Sequence, residues 1–316
     1  MDRKSSLIFF YYLCKYMELR QLRYFIKAAE THNFSEAAKL MFVTQSTLSQ
    51  QIKQLEDELG VQLFHRNSHD VSLTDEGMQL LPFARETVSS ADNCVEQMNG
   101  LKNLLTGTLY IGVTYSFSPI LTETMLDFCR RYPKVKLQVV YKTMEELIQM
   151  LQHRELDFVL AYKPIEEYAK IESKVLFRNP LSVIVREDHP LAKLEKASIT
   201  DLEHYDMAMP ARGTQPRQIL DSILGNDLES RFNVRMDLND LNILLRVVQK
   251  SNYFSILSES SVQDVDGLKA VPLDIENNMM EGCIHTLKGV YTKNSANEFC
   301  RILKESAAIK KYNLGL

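Results

Sequence analysis

Apolar side chains recur at helical spacing from Glu18 to His32, at Leu22, Phe25, Ile26 and Ala29, which predicts a first helix with one buried face. Asn33 and Phe34 interrupt the pattern. Ser35 is then expected to cap a short second helix, in which Glu36 complements the dipole and Ala37, Ala38 and Leu40 form the buried side. Met41 to Val43 make a turn, and Thr44 is the expected N-cap of a third helix from about Gln45 to Leu59. Leu48, Ile52, Leu55 and Leu59 fall at steps of four, three and four, giving a single apolar stripe. Gln45, Ser46, Ser49, Gln50 and Lys53 occupy the opposite side. Gly60 ends the helix, and Val61 to Phe64 and Val71 to Leu73 read as two short strands around a turn at residues 67–70, the outline of a wing.

Thr74 is the next expected cap. Beyond it Leu81, Ala84, Val88, Ala91, Val95 and Met98 alternate at steps of three and four, a seam that suits a partner helix. Carried to about Leu105, this helix would measure about 45 Å, and Pro82 should kink it. From Thr108 strands alternate with helices. Strands are expected at Leu109–Thr114, Val135–Tyr141, Leu156–Tyr162, Leu181–Val185, Met207–Met209, Phe232–Leu238, Phe254–Leu257, Leu268–Leu273 and Ile284–Tyr291. Helices are expected at Pro119–Arg131, Thr143–His153, Pro216–Leu224, Asp240–Lys250 and Ala296–Ala308. That alternation predicts an α/β unit with a largely parallel sheet.

With 316 residues, 45% hydrophobic and 25% charged, the chain has the make-up of a soluble protein of two or three folding units. A formal net charge of -4 means that affinity for nucleic acid must come from a local arrangement of groups. The five cysteines, Cys14, Cys94, Cys129, Cys283 and Cys300, are scattered and suggest a reducing cytoplasm with no metal and no cofactor. The apolar run Leu7 to Leu13 is far shorter than the roughly 20 residues of a membrane span, and no cleavage site follows it. Residues 1–16 are therefore read as an extension, either preceding a true start at Met17 or serving as an ordered arm. No H-E-x-x-H, G-x-S-x-G, phosphate-cradling glycine loop or Cys/His cluster is present, so an enzyme is not expected.

The ordered run F-S-E-A-A-K-L-M-F-V-T-Q-S-T-L-S-Q-Q-I-K-Q-L-E-D-E-L-G-V-Q-L-F-H-R, followed by L-T-D-E-G, resembles the LysR-type transcriptional regulators. The resemblance implies a winged helix-turn-helix over residues 17–74, a linker and dimerisation helix over 75–106, and an effector-binding regulatory domain over 107–316. The last is similar to the periplasmic solute-binding proteins: two Rossmann-like subdomains, about 107–179 with 284–316, and about 180–283. It implies sequence-specific regulation, as activator or repressor, through double-stranded DNA and a small-molecule effector. A homodimer assembling to a tetramer, RNA polymerase as a further partner, and no membrane belong to the same expectation.

By the resemblance Gln45, Ser46, Ser49, Gln50 and Lys53 face the major groove, where Gln can pair bidentately with adenine and Ser can reach bases or phosphates. Arg66 is implied as a wing-side phosphate contact. The chain departs from the pattern at Gln50, where relatives often carry a basic residue, and in the wing, where Ser68 and His69, in place of further arginines, are the remaining candidate DNA contacts. Between Glu18 and Arg66 six basic residues meet six acidic ones, so binding leans on dimer geometry as much as on charge.

For the effector, loops beyond the carboxyl ends of strands lead into helix N-termini that favour anions. Ser116, Thr143, Tyr162, Arg212 and Thr214 are the candidate contacts, the first two at positions where relatives hold effector. Arg212 suits a carboxylate. Capping of the adjoining helix is the alternative role for each hydroxyl, and Asn239 and Asp240 are read as caps. Effector binding is expected to close the cleft. Two alternatives stay open: a solute-binding protein without DNA function, and a redox-sensing regulator using Cys283 and Cys300.

Overall fold

The computed structural model describes residues 17–66, 71–100, 106–225, 228–262, 265–276 and 278–314. The chain forms two compact units, one ending at Val95 and one beginning at Glu96. Among the described residues no helix is long and apolar enough to cross a membrane.

In the N-terminal unit α1 (Leu19–Thr31) opens with a reciprocal capping box between Glu18 and Gln21. Helix α2 (Phe34–Leu40) is capped by Asn33, whose Oδ1 accepts from the amides of Ser35 and Glu36 at 2.9 and 3.1 Å. The cap is thus Asn33 and not Ser35, because the side-chain oxygen of Asn33 reaches two orphan donors at once. Helix α3 (Gln45–Leu59) is capped by Thr44 and stopped by Gly60 at φ 72°. Leu48, Ile52 and Leu55 are fully buried as the spacing predicts, while Leu59 is exposed.

The buried position at the end of the stripe belongs to Glu56, whose carboxylate accepts from the amides of Leu63 and Phe64 at 2.9 and 3.3 Å. Those bonds seat β1 (Phe64–Arg66), which pairs antiparallel with β2 (Val71–Leu73). Phe64 packs edge-on against Phe25 and Phe34, closing the core. Thr74 ties the wing to the next helix by donating to the Gln62 carbonyl at 2.7 Å and accepting from Gly77 N–H at 3.0 Å. Gly77 is required there, since a Cβ would overlap the Leu63 carbonyl oxygen.

Helix α4 (Asp75–Gly100) runs unbroken through Pro82. The expected pairing seam is only partly available, because Ala84 is buried in this unit's own core and Leu81 and Val88 pack against it. The Arg23–Asp92 and Arg85–Glu30 ion pairs link α4 to α1. Phe83, Val95 and Met98 remain 56–67% exposed.

The C-terminal unit begins with β3 (Gly107–Val113), a single 3-10 turn at Tyr115–Phe117, α5 (Ser118–Arg131), β4 (Val135–Tyr141), α6 (Met144–Gln152) and β5 (Phe158–Tyr162). A long strand, β6 (Ile171–Arg186), follows, then α7 (Ile199–Leu202), β7 (Asp206–Pro210), α8 (Gln215–Leu224), α9 (Leu228–Arg231), β8 (Asn233–Leu238), α10 (Leu241–Lys250), β9 (Ser255–Ser258) and β10 (Leu268–Pro272). The chain returns through β11 (Met279–Leu287) to α11 (Asn294–Glu305) and α12 (Ala307–Leu314).

The main sheet has the order β10-β6-β11-β5-β3-β4, with β9 also on β6, and β7 pairs β8 separately. Among the described strands β3–β4, β3–β5 and β7–β8 pair in parallel. The sheet is therefore mixed, because β6 and β11 run antiparallel to their neighbours. Strand β6 makes two lobes: residues 171–180 pair with β11 in lobe I, and residues 181–186 pair with β9 and β10 in lobe II. The return strand starts at Met279, earlier than the expected Ile284, since Glu281 and Gly282 interrupt its apolar signal.

One hydrophobic core crosses both lobes, joining Val113, Phe117, Phe158 and Tyr162 of lobe I to Met207, Met209, Leu220, Phe254 and Ile256 of lobe II.

Within lobe I, His285 is fully buried, donating from Nε2 to the Ala161 carbonyl at 3.1 Å and accepting at Nδ1 from the Ser173 hydroxyl at 2.8 Å. Burial pushes its pKa down to about 4, so the folded chain holds it neutral. The unfolded chain takes up that proton near pH 6.5 and the folded chain only near 4, so this contribution, on the order of 3 kcal/mol, is complete above pH 6.5 and is lost as pH falls towards 4. Urea denaturation between pH 7.5 and 4.5 should show that loss, and His285→Gln should flatten it while lowering stability at neutral pH.

Candidate DNA-reading surface and ligand cleft

Gln45, Ser46, Gln50 and Lys53 are exposed on α3 and Ser49 is half-buried; the five fall within roughly 140° of arc, to one side of the buried stripe. Thr44 Oγ1 meets the hydroxyls of Ser46 and Thr47 at 2.9 and 2.8 Å, which fixes the first turn. Gln45, Ser49, Gln50 and Lys53 make no side-chain hydrogen bond among the described residues. A ridge of amide, hydroxyl and ammonium groups thus stands ready for an external partner. Arg66 closes β1, its backbone paired with Val71, whereas Ser68 and His69 lie outside the described residues. The periodic pattern does not single out Phe42, which is 95% exposed in the turn before α3 at φ 55°.

The C-terminal unit contains a cleft of about 560 Å³ between the lobes. Ser116, Thr143, Arg212 and Thr214 line it, brought together from three loops. The starts of three helices converge on it, α6, α8 and α10, with the 3-10 turn that precedes α5 at its edge. Two are capped by their own side chains. Thr143 forms a capping box with Glu146, donating its hydroxyl to the carboxylate at 2.8 Å, and Asp240 accepts from Ile243 N–H at 2.9 Å. Lys142 bonds the same Glu146 at 2.7 Å, and with Thr143 it draws that carboxyl down to about 2. Helices α5 and α8 have no side-chain cap, and the Thr214 hydroxyl donates to the Ala211 carbonyl at 2.8 Å instead. Tyr115 and Tyr141 stack at 5.6 Å along one wall. Tyr115 and Gln215, which also borders the cleft, lie in the loops that carry Ser116 and Thr214, while nothing in the local spacing marks Tyr141.

Tyr162 is a correction. It is 1% exposed and does not line the cleft; its ring sits between Phe117 and Phe177, at 5.2 and 6.1 Å. Its hydroxyl meets Ser260 Oγ at 3.0 Å and accepts from Asn179 Nδ2 at 3.4 Å. As the last residue of an interior strand it turns inward, and burial raises its phenol pKa. Arg217, 2% exposed, pairs with Asp221 one turn along α8 at 2.8 Å and ties the helix to β8 through Asp237 at 3.4 Å. Burial pushes the thiols of Cys283 and Cys300 up to about 12, which opposes the thiolate chemistry of redox sensing. Among the described residues no group of three or more His, Cys, Asp or Glu is placed to hold a metal ion.

Comparison with known proteins agrees with this geometry. Residues 19–78 match the bacterial regulatory helix-turn-helix protein model of the lysR family, and residues 102–308 match the LysR substrate binding domain. The chain is 29% identical over 291 residues to the transcriptional dual regulator GltC of Bacillus subtilis (strain 168), covering 90% of this chain and 95% of GltC. A full-length OxyR variant from Pseudomonas aeruginosa superposes with TM-score 0.73 at 24% identity, covering 93% of this chain and 95% of that one. Full-length CbnR complexed with its target DNA superposes with TM-score 0.63 at 20% identity, covering 92% of this chain and 100% of that one. With a helix-turn-helix match at one end, a substrate-binding match over most of the remainder, and a fold shared with these regulators, the chain belongs to the LysR family of bacterial transcriptional regulators.

Proposed function

We propose that this regulator reads its operator through Gln45, Ser46, Ser49, Gln50 and Lys53 and responds to a small anion, a carboxylate, held in the cleft of the C-terminal unit. The observation that carries the first half is the polar ridge of α3, in which the side chains of Gln45, Ser49, Gln50 and Lys53 make no hydrogen bond among the described residues, backed by a core that fixes its orientation. Six acidic side chains offset six basic ones between Glu18 and Arg66, so base-edge contacts and paired half-sites supply what charge does not. Phe83, Ala91, Val95 and Met98 share one arc of α4 and are the surface through which two copies would pair, with tetramers and contact with RNA polymerase as further steps in a cytoplasmic protein.

For the second half, the carrying observation is Arg212 bordering a cleft entered by α8, whose N-terminal dipole has no side-chain cap. Thr143 is spent on α6, so its place in the cleft is accounted for by capping. Hinge closure has little to act on, because the core is continuous across the lobes. The response is instead a local tightening at the cleft.

Gln45→Ala combined with Ser49→Ala should abolish operator discrimination in selection from a random duplex pool. Each lost base contact is worth about 1–3 kcal/mol, while sedimentation should show the assembly unchanged; an undiminished footprint would remove these residues from the interface. In a thermal-shift screen of small carboxylates, Arg212→Gln should shift the response midpoint by tenfold or more, about 1.4 kcal/mol, without weakening DNA binding. Thr143→Val should lower unfolding stability by about 1 kcal/mol and leave that midpoint in place; a shifted midpoint would make Thr143 a ligand contact.

A further inference from the structure

Gln215 opens α8 in lobe II, is 6% exposed and borders the cleft. Its side-chain amide holds the backbone of Tyr162 in lobe I from both ends. Oε1 accepts from Tyr162 N–H at 2.8 Å, and Nε2 donates to the Tyr162 carbonyl.

Strand geometry explains why Tyr162 needs this partner. In the β5–β11 ladder Lys163 N–H donates to the Glu281 carbonyl, while Tyr162 stands opposite Gly282 with its own N–H and C=O turned the other way, towards β3. The β3–β5 register ends at Val113 opposite Leu160, with Thr114 N–H donating to the Leu160 carbonyl before the chain turns away. The Gln215 amide takes the ladder position that β3 leaves, so two deeply buried backbone groups of lobe I depend on one side chain of lobe II. Ser260, also of lobe II, meets the Tyr162 hydroxyl. Nε2 carries two hydrogens. One goes to Tyr162, and no acceptor among the described residues takes the second.

We propose that Gln215 is the positioning residue through which occupancy of the cleft reaches lobe I. An oxygen of the bound anion accepts the second Nε2 hydrogen, and the amide so fixed holds Tyr162 and the end of β5 more firmly. The inference rests on the anion-binding reading of the cleft given above. The ligand adds to the existing pair and does not replace it, since rotating the planar amide would orphan both Tyr162 groups at once. Linkage makes the coupling reciprocal: loss of the Tyr162 pair weakens the anion by the factor by which the anion strengthens the pair.

The test is amide hydrogen exchange in the full chain, resolved at Tyr162, with sodium sulfate as the oxyanion probe against sodium chloride at equal ionic strength. In the parent protein sulfate should slow Tyr162 exchange several-fold in a saturable manner. Gln215→Met should exchange at Tyr162 about tenfold faster or more and show no sulfate response, while the amides of Val159 and Leu160 report that the sheet is folded. Gln215→Glu keeps an acceptor for the Tyr162 N–H but no donor; it should retain part of the protection and lose the sulfate response. Arg212→Gln reads the cleft separately, through loss of the sulfate-dependent thermal shift. Sulfate protection that survives in Gln215→Met overturns the coupling and leaves the cleft reading standing. So does an Arg212-dependent thermal shift with no change at Tyr162. Absence of any Arg212-dependent effect of sulfate overturns both.

Discussion

The end of β5 is where the two lobes of the C-terminal unit are fastened. Tyr162 takes three bonds from lobe II, two through its backbone to Gln215 and one through its hydroxyl to Ser260, and its ring completes a core built from both lobes. Each bond is buried, so none competes with water, and removing any partner would strand a polar group in an apolar surround. This attachment points the start of α8 into the cleft and keeps Arg212 and Thr214 beside Ser116 and Thr143. A shared core of this kind also separates the unit from a clamshell, in which an open seam lets the lobes swing. Here β6 passes through both lobes as one strand and their apolar surfaces are already joined.

The N-terminal unit solves a parallel problem with different groups. Its reading helix must present polar side chains outward while its far end is anchored, and the anchor is a side chain hydrogen-bonded to backbone: Glu56 accepts from the two amides at which the wing begins. Thr74 and Gly77 then bring α4 against the Leu63 carbonyl so closely that no side chain fits between. The wing and α3 are thereby seated on the same residues. Orientation comes from the buried half of the helix, and recognition is left to the exposed half.

Much of this is legible along the chain. The stripe Leu48, Ile52, Leu55 carries α3, Thr44 and Gly60 carry its ends, and β4 falls where its apolar run begins and stops, at Val135 and Tyr141. The loops bearing Ser116, Thr143, Arg212 and Thr214 are recognisable as one site from their place after strands. Less legible are features that depend on a distant partner. The first half of β6 is largely polar and exposed on its outer face, so it lacks a strand signal until β11 pairs with it. The α4 seam looks continuous because periodicity does not say which neighbour covers it, and Ala84 is covered by its own unit.

Sequence alone settled the local matters: helix faces, most caps, the order of strands and helices, and the ordered motif of the reading head. Those follow from side-chain period and backbone preference, which act over a few residues. Tertiary structure decided the fate of Tyr162, the role of Gln215 and the direction of β6 and β11. Each of these is set by which backbone groups are left without a ladder partner, and that depends on contacts between residues as far apart as Tyr162 and Ser260.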